Sequence, residues 1–338
     1  MAKKLLKLPA QTANLIAMKT LKIAVLDGFM AVREDLNWDA LRRLGTVAEY
    51  DRTPRDLIIE RSADADAILV NKVPLFKEQL ALLPNLKYIG ITATGCNNVD
   101  LAEARARGID VSNIPSYSTE SVAQAVFAHI LNLSNAVENH SEAVKNGVWS
   151  KSADICFCLR PLVELCGRRL GIIGYGAIGK RVAQIAKAFG MDVWAYSPSK
   201  EGAGCDGVAQ FKSVDEIFSN CHIISLNCPL NPATDKIVNA KSISLCMDGV
   251  WFINTGRGAL VDERAMAEAL ALGKVGGYGA DVLSAEPPSA DNPLLGAPNC
   301  HLTPHNAWTT KEARRRLIEI AADNLRAWIA GTPKNIVN

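Results

Sequence analysis

The stretch Gly171–Lys180, GIIGYGAIGK, holds four glycines and decides the fold. Three of them follow the pattern Gly174-x-Gly176-x-x-Gly179, which on its own occurs too often to identify a site. Its setting is more specific, because GRRLGIIG before the turn is apolar like a buried strand and AIGKRVAQIAKAFG has helical spacing. In such a unit the three glycines permit a tight turn, close approach of a pyrophosphate and helix–strand packing. The stretch therefore predicts a dinucleotide-binding turn between a strand and a helix, with an ordinary strand–helix turn as the alternative.

The bulk composition limits the class of protein. A chain of 338 residues favours two domains, and a net charge of +2 gives no broad basic face for nucleic acid. The longest apolar runs have the length of strands, so no membrane span is expected. Residues 1–17 are expected to be a loose extension, with a weak targeting signal as the alternative. The nine scattered cysteines have no metal-binding spacing, which predicts reduced thiols, no metal and a cytoplasmic protein.

Strands and helices alternate along most of the chain. The runs LKIAVLD, AILV, YIGI and IDVSN predict one group of strands, and RRLGIIG, MDVWAY, HIISLN, GVWFIN, GGYGAD and CHLTPH predict a second group. Between the groups, SYSTESVAQAVFAHILNLSNAV predicts a long helix with Ser118 or Thr119 as its N-cap. The fold class is therefore α/β, with two parallel sheets flanked by helices.

Three residues after predicted strands are candidates for catalysis. Arg257 stands between two glycines in NTGRGALVD, where its guanidinium could bind a carboxylate in a bidentate manner or simply pair with Asp262. His305, in LTPHNAW, is a candidate proton donor, since histidine exchanges protons near neutral pH. Glu286, in DVLSAEPP, would favour the protonated imidazole and fix its tautomer if it lies beside His305, although a solvated acid is the alternative.

Two further loops are candidates for substrate contacts. In ITATGCNNVD, the backbone at Gly95, Cys96 and Asn97 could turn its N–H groups toward an anion, although a polar turn before a helix would look the same. Lys72 follows a strand in VNKVP and is a candidate contact or a solvated lysine.

GYGAIGK, NTGRGALVD, DVLSAEPP and LTPHNAW, in this order, resemble the D-isomer-specific 2-hydroxyacid dehydrogenase family from about Leu21 to the last helix. The resemblance implies hydride transfer between C4 of a nicotinamide and C2 of a small 2-oxo or 2-hydroxy acid. It implies that Arg257 holds the substrate carboxylate, that His305 is the general acid and base, and that Glu286 holds His305. Asp281 matches the acid that contacts the nicotinamide carboxamide.

The resemblance also implies two Rossmann-like domains, with the nucleotide domain at 121–307 inserted into a substrate domain of 18–120 and 308–338. It implies a homodimer joined through the long helix and an arm at about 136–168. Expected cofactor contacts lie in the loops that follow the strands, at Gly174, Gly176, Ala177, Ile178, Gly179, Ser197, Cys228, Pro229, Thr234, Thr255, Gly256, Arg257, Asp281 and His305.

Within this family, TATGCNNVD, IPSYSTESVAQ and PHNAW most resemble the branch that interconverts hydroxypyruvate and glycerate. Reduction of pyruvate to D-lactate, or of a larger 2-oxo acid, is the alternative within the family. A corepressor that senses NAD(H) is the alternative outside enzymes.

Two positions depart from the family pattern. Ser197 stands where an acid for the ribose 2′-hydroxyl of NAD is expected, and Ser199 and Lys200 follow it. NAD is the expected cofactor, and NADP is an open alternative because no acid at this position would repel a 2′-phosphate. Asn227 stands where relatives commonly have histidine, and no functional conclusion follows from it.

Overall fold

The computed structural model describes residues 20–338, and the expected extension of residues 1–17 lies outside this range. The chain divides into two compact units, the first ending at Pro115 and resuming at Leu317, the second comprising Ser116–Arg316. These breaks lie five and nine residues from the expected 120/121 and 307/308 boundaries. Local contacts account for the difference, since Arg316 donates a hydrogen bond to the carbonyl of Tyr117 within the second unit.

The first unit contains a five-stranded parallel sheet in the order β2-β1-β3-β4-β5. The apolar runs expected to be strands form β1, β3 and β4, and all four residues of β3 and β4 are buried. Strand β2 was not expected, because it is a largely exposed edge strand without an apolar run. The strands are β1 Lys22–Val25, β2 Thr46–Glu49, β3 Ala67–Val70, β4 Tyr88–Ile91 and β5 Asp110–Ser112.

Short helices connect these strands. The last of them begins at Asp100, whose carboxylate accepts a hydrogen bond from the backbone N–H of Glu103, 3.0 Å away, as an N-cap does. The helices are α1 Phe29–Val32, α2 Asp39–Arg42, α3 Ile58–Ser62, α4 Lys77–Ala81 and α5 Leu101–Ala106.

The second unit contains a seven-stranded parallel sheet in the order β12-β11-β10-β9-β6-β7-β8. The chain leaves β6 toward β7 and β8 and then returns to place β9 on the other side of β6. Ligands of open α/β sheets bind at the carboxyl ends of the strands beside such a reversal. The strands are β6 Arg169–Ile173, β7 Asp192–Tyr196, β8 Gln210–Phe211, β9 Ile223–Leu226, β10 Val250–Asn254, β11 Val275–Ala280 and β12 Cys300–Leu302.

Helices cover both faces of this sheet. The expected long helix ends at Asn135, and Ala136 turns the backbone with φ of +47° before a further helix. The arm expected at 136–168 is therefore helical in its first third. Ser118 is the N-cap residue, but its side chain makes no capping hydrogen bond. The helices are α6 Thr119–Asn135, α7 Val137–Lys145, α8 Ala177–Ala188, α9 Val214–Asn220, α10 Ala240–Leu245 and α11 Glu263–Ala271, and α12 Lys311–Ile329 continues from this unit into the first.

Apolar side chains from the strands and helices form the cores. One cluster lies between the second sheet and α9, α10 and α11, and another lies between that sheet and α6 and α8. This α/β fold with two parallel sheets confirms the fold class predicted from the sequence. No helix in residues 20–338 has the length and apolar character needed to cross a membrane.

Candidate active site

His305 and Glu286 form a direct pair in the second unit. His305 Nδ1 lies 2.6 Å from Glu286 Oε2, and both side chains are about one-third exposed. Glu286 is itself held by the backbone N–H of Leu283, which donates to Oε1 at 3.2 Å. Because a carboxylate only accepts, the imidazole donates from Nδ1 and its Nε2 is left to exchange a proton with another molecule. The fold thus places His305 and Glu286, which are nineteen positions apart in the sequence, in direct contact.

The backbone of His305 is in the left-handed region, with φ of +49°. Its N–H donates to the carbonyl oxygens of Asp281 at 2.9 Å and Thr303 at 3.0 Å. Left-handed backbone in a non-glycine residue is uncommon and needs surrounding structure to hold it. The ends of β11 and β12 supply that structure here.

The Asp281 carboxylate is buried and organises the segment after β12. Its Oδ1 accepts from the hydroxyl of Thr303 at 2.6 Å and from the backbone N–H of Asn306 at 2.9 Å. Its Oδ2 accepts from the backbone N–H of Ala307 at 2.9 Å. Asp281 therefore fixes the segment that carries His305, a function that the sequence motif did not reveal.

Arg257 follows β10 and is exposed, as a residue that binds a ligand must be. The buried Asn254 holds its backbone, donating to the Arg257 carbonyl at 2.9 Å and accepting from the Gly256 N–H at 3.1 Å. The expected alternative, a pair between Arg257 and Asp262, is wrong. Asp262 instead pairs with Lys236 at 3.7 Å and caps α11.

Gly258 joins the Arg257 loop to the Glu286 loop. A Cβ at this position would lie 1.9 Å from the carbonyl carbon of Leu283 and 2.3 Å from the N atom of Ser284. Only glycine permits this approach of two backbones. The positions of Arg257 and Glu286 are therefore coupled through a backbone contact.

The glycine-rich turn between β6 and α8 has space for a ligand. Gly174 has φ of +99°, which requires glycine, whereas the space beside Gly176 contains no protein atom within 4 Å. No side chain caps α8 and no acid lies in its first turn, so the N–H groups of Ala177, Ile178 and Gly179 remain available to an anion. These features fit a pyrophosphate.

Two buried polar atoms near this turn also fit a cofactor. Thr255 Oγ1 and Asn227 Oδ1 have no hydrogen-bond partner within the described chain. Buried polar atoms are rarely left unpaired, and such atoms beside a turn suited to phosphate indicate a missing polar ligand. Asn227 follows β9 and also touches the turn, since a Cβ on Gly174 would lie 2.6 Å from its carbonyl oxygen.

Other expected cofactor residues occupy the neighbouring loops. Cys228 is buried beside Gly174, and burial raises the pKa of its thiol to about 11. Thr234 donates from its hydroxyl to the carbonyl of Pro229 at 2.7 Å and thereby shapes the turn after β9. These contacts are structural, and the side chain of Thr234 has its hydrogen bonds within the protein.

The segment after β7 contains polar groups but no acid at the expected place. Ser197 Oγ and Ser199 Oγ lie 3.1 Å apart, and Lys200 is exposed with its Nζ 6.0 Å from the ring centre of Phe211. A hydroxyl pair and a lysine would tolerate an additional phosphate on the ribose.

Two loops in the first unit carry the expected substrate residues. Asp27 accepts hydrogen bonds from the backbone N–H groups of Asn71, Lys72 and Val73, at 2.5–2.9 Å. Asn71 in turn donates to the carbonyl of Thr92 at 2.6 Å, which links the loop after β3 to the loop after β4. Lys72 is exposed on the first of these loops.

The loop after β4 presents backbone donors. Within the described residues, the N–H groups of Gly95, Cys96 and Asn97 have no protein acceptor. Thr94 anchors this loop by donating from its hydroxyl to the carbonyl of Ile114 at 2.8 Å. The loop therefore retains backbone N–H groups without an acceptor among the described residues.

Two side chains near the catalytic candidates, Tyr117 and His129, were missed by sequence analysis. Tyr117 is buried, and its burial raises the pKa of its hydroxyl, while the charge of Arg257 acts in the opposite direction. His129, on the buried face of α6, lies 3.3 Å from the hydroxyl of Thr303. Tyr117 lies in the segment IPSYSTESVAQ and His129 in the long helix, but neither sequence indicates that the fold brings them to the ends of β10, β11 and β12.

The sheet order, the turn before α8 and the residues that follow the strands define the class of an NAD(P)-dependent oxidoreductase. The chain belongs to the D-isomer-specific 2-hydroxyacid dehydrogenase family. The model of that family's NAD-binding domain, described as "D-isomer specific 2-hydroxyacid dehydrogenase, NAD binding domain", matches residues 127–307. The family resemblance predicted from the sequence is thereby confirmed.

Individual relatives agree with this assignment. A hydroxypyruvate reductase from Blautia hydrogenotrophica is 43% identical over 321 residues, covering 94% of this chain and 100% of the relative. A glycerate dehydrogenase from Methylorubrum extorquens is 39% identical, covering 86% and 91%. The solved NADPH-dependent glyoxylate/hydroxypyruvate reductase from Sinorhizobium meliloti is 28% identical with a TM-score of 0.80, covering 94% and 97%.

Proposed function

We propose that this enzyme reduces hydroxypyruvate to D-glycerate, and catalyses the reverse oxidation, with a nicotinamide dinucleotide. The observation that carries the proposal is the His305–Glu286 contact at 2.6 Å in a chain 43% identical, over its relative's full length, to a hydroxypyruvate reductase. Family membership defines the reaction class, and the match to this relative favours the particular 2-oxo acid.

The chain's residues then have separable tasks in the reaction. His305 donates a proton from Nε2 to the carbonyl oxygen of the substrate during reduction and removes it during oxidation. Glu286 keeps the other ring nitrogen protonated and orients the ring through the Nδ1–Oε2 contact. The exposed guanidinium of Arg257 binds the substrate carboxylate and draws electron density from the adjacent carbonyl.

The dinucleotide would be held by the turn at Gly174 and Gly176, the first N–H groups of α8, and the loops after β9 and β10. When bound, its nicotinamide supplies or accepts the hydride at C4. The unpaired Thr255 Oγ1 is positioned in the loop after β10, next to Gly256 and Arg257. We further propose that Asp281 contacts the carboxamide end of the nicotinamide.

The enzyme is proposed to accept both NADH and NADPH. An acid at Ser197 would bind the 2′-hydroxyl and repel a 2′-phosphate, and this position carries a hydroxyl instead. Lys200 adds a single positive charge three residues later. One relative of known structure is named as NADPH-dependent, which supports use of the phosphorylated cofactor.

The first unit is proposed to contribute the remaining substrate contacts. The free N–H groups of Gly95, Cys96 and Asn97 form an anion-binding loop for the substrate carboxylate. Lys72 would bind the hydroxyl at the far end of hydroxypyruvate, and the three N–H bonds to Asp27 fix the backbone at and around it. The first unit is accordingly the substrate domain and the second is the nucleotide domain.

We propose that two copies form a homodimer through α6, α7 and the arm after them. A groove of about 760 Å³ lies against α6 and α7, lined by Leu131, Val137 and Lys145 among others. The arm exposes large apolar side chains that a second copy would cover, with Trp149 at 50% and Ile155 at 92% exposed. The nine free cysteines support a reducing, cytoplasmic location.

An initial-rate panel tests the substrate proposal. Hydroxypyruvate, glyoxylate, pyruvate and phenylpyruvate are each assayed with NADH and with NADPH, following the absorbance of the reduced nicotinamide. The highest kcat/KM is expected with hydroxypyruvate, and activity is expected with both cofactors. A higher value for pyruvate or phenylpyruvate would contradict the substrate, and the absence of reduction with every 2-oxo acid would contradict the enzyme proposal.

A further inference from the structure

We propose that His129 and Thr303 are positioning residues for catalysis, which hold the Asp281 carboxylate and thereby the backbone segment that carries His305. The inference rests on the proposed role of His305 in proton transfer. It assigns a function to a histidine on α6 that is remote in sequence from every motif of the site.

The three side chains form a chain of hydrogen bonds with a defined direction. The Thr303 hydroxyl donates to Asp281 Oδ1 at 2.6 Å, so its oxygen is left to accept. His129 Nε2 lies 3.3 Å from that oxygen and must therefore be its donor. The direction fixes the tautomer of His129, with the proton on Nε2.

The surroundings of His129 favour this single arrangement. The residue is only 6% exposed. Burial lowers the pKa of its imidazole, the nearby His301 lowers it further, and the charge of Asp281 opposes both effects. A neutral imidazole has one N–H, and in this hydrogen-bond arrangement that N–H donates to the Thr303 hydroxyl oxygen. His129 is also fixed in place, because a Cβ on Gly279 of β11 would lie 2.7 Å from the His129 Cβ.

Asp281 transmits this order to His305. Its carboxylate accepts from the backbone of Asn306 and Ala307, and its own carbonyl accepts from the backbone N–H of His305. These bonds enclose His305 on both sides and maintain its φ of +49°. A carboxylate free to rotate would release the 306–307 backbone, and the imidazole would move relative to the substrate.

Matched variants of the full-length enzyme separate this role from a merely structural one. Thr303→Val keeps the shape but removes the hydroxyl, whereas Thr303→Ser retains it. His129→Gln places an amide N–H where Nε2 stands, and His129→Asn carries the same amide too short to reach Thr303. For each variant, kcat and KM for hydroxypyruvate and NADH, and the melting temperature, are measured with the wild type.

We expect Thr303→Val and His129→Asn each to lower kcat about tenfold or more, because small misplacements of a catalytic group are costly. Thr303→Ser and His129→Gln should recover most of the lost kcat. The double variant Thr303→Val/His129→Asn should lose no more than the worse single variant, since both break one chain. Three results would overturn the proposal. They are a loss of kcat in the double variant equal to the product of the two single losses, equal kcat values for His129→Gln and His129→Asn, and an unchanged kcat in Thr303→Val.

A nitrogen–proton correlation NMR spectrum of the histidines tests the hydrogen bonds from His129 to Thr303 and from Thr303 to Asp281 without reference to activity. The wild type and Thr303→Ser should show a proton on His129 Nε2, and Thr303→Val should shift or lose that signal. A proton found on Nδ1 alone in the wild type would refute the network. If the wild type reduces no 2-oxo acid, the proposed function fails, and this spectrum still establishes or excludes the hydrogen-bond chain.

Discussion

The close approach at Gly258 gives a sharp test of how the site is assembled. In Gly258→Ala, the new Cβ would lie 1.9 Å from the carbonyl carbon of Leu283, about 1.5 Å inside the 3.4 Å at which ordinary van der Waals contact begins. The obstructing atoms belong to backbone and cannot rotate away. The Arg257 loop and the Glu286 loop must therefore separate by more than an ångström.

The expected cost has two parts. Overpacking of this kind typically destabilises a protein by about 1–3 kcal/mol. Displacement of a catalytic group by about 1 Å lowers the rate by on the order of 10²-fold. We therefore expect kcat/KM for hydroxypyruvate to fall about 100-fold at a temperature well below unfolding, with a melting temperature lowered by only a few degrees.

Gly204→Ala is the matched control, because Gly204 has no atom within 4 Å of the position of a Cβ and its φ is not in the left-handed region. This variant should retain the wild-type kcat/KM and melting temperature. Steady-state kinetics and thermal unfolding of both variants are measured side by side. A fully active Gly258→Ala enzyme would refute the argument that this backbone contact sets the distance between Arg257 and Glu286.

Three further perturbations test other parts of the molecule. Arg257→Lys should lower kcat/KM by about 10²-fold, since a lysine lacks the bidentate fork, and a loss below threefold would contradict the carboxylate contact. Ser197→Asp should shift the ratio of kcat/KM toward NADH by at least about tenfold, and an unchanged ratio would place cofactor selection elsewhere. Burial raises the pKa of Asp27 above its usual 3.8, against the backbone hydrogen bonds that lower it. The folded state therefore binds the Asp27 proton more tightly than the unfolded state does. The melting temperature of the wild type relative to that of Asp27→Asn should decline as pH rises from 3.8 through the folded-state pKa. A difference in melting temperature that does not change with pH would contradict this prediction.

The parts of the fold that sequence predicts are those in which local pattern and tertiary structure agree. Buried strands such as Ala67–Val70 are continuous apolar runs, and the glycine pattern before α8 has few structural alternatives. Strand Thr46–Glu49 escaped prediction because it is mostly exposed and obtains its conformation from pairing with β1. Helix Val137–Lys145 escaped because it has no buried residue to create an apolar period.

The site shows the same division. Arg257, Glu286 and His305 could be proposed from the sequence because each follows a strand within a recognisable motif, and parallel strands bring such residues to one edge of a sheet. Their support could not be found in this way. His129, on α6, contacts Thr303 after β12, and Asn254, at the end of β10, contacts the backbone of Arg257. Neither residue could be identified from the sequence, because a buried polar residue in a helix or strand has no local pattern that distinguishes it from an ordinary core position.

The left-handed backbone at His305 has a practical consequence for trapping the enzyme with its substrate. Asparagine is among the few residues that adopt this conformation readily, whereas alanine is strained there. His305→Asn is therefore the inactive variant that retains the native loop. Such a protein would allow a ternary complex with an intact 2-oxo acid and reduced dinucleotide to accumulate for crystallography. The best substitution for an inactive enzyme thus depends on the backbone φ at residue 305 as well as on removal of the imidazole.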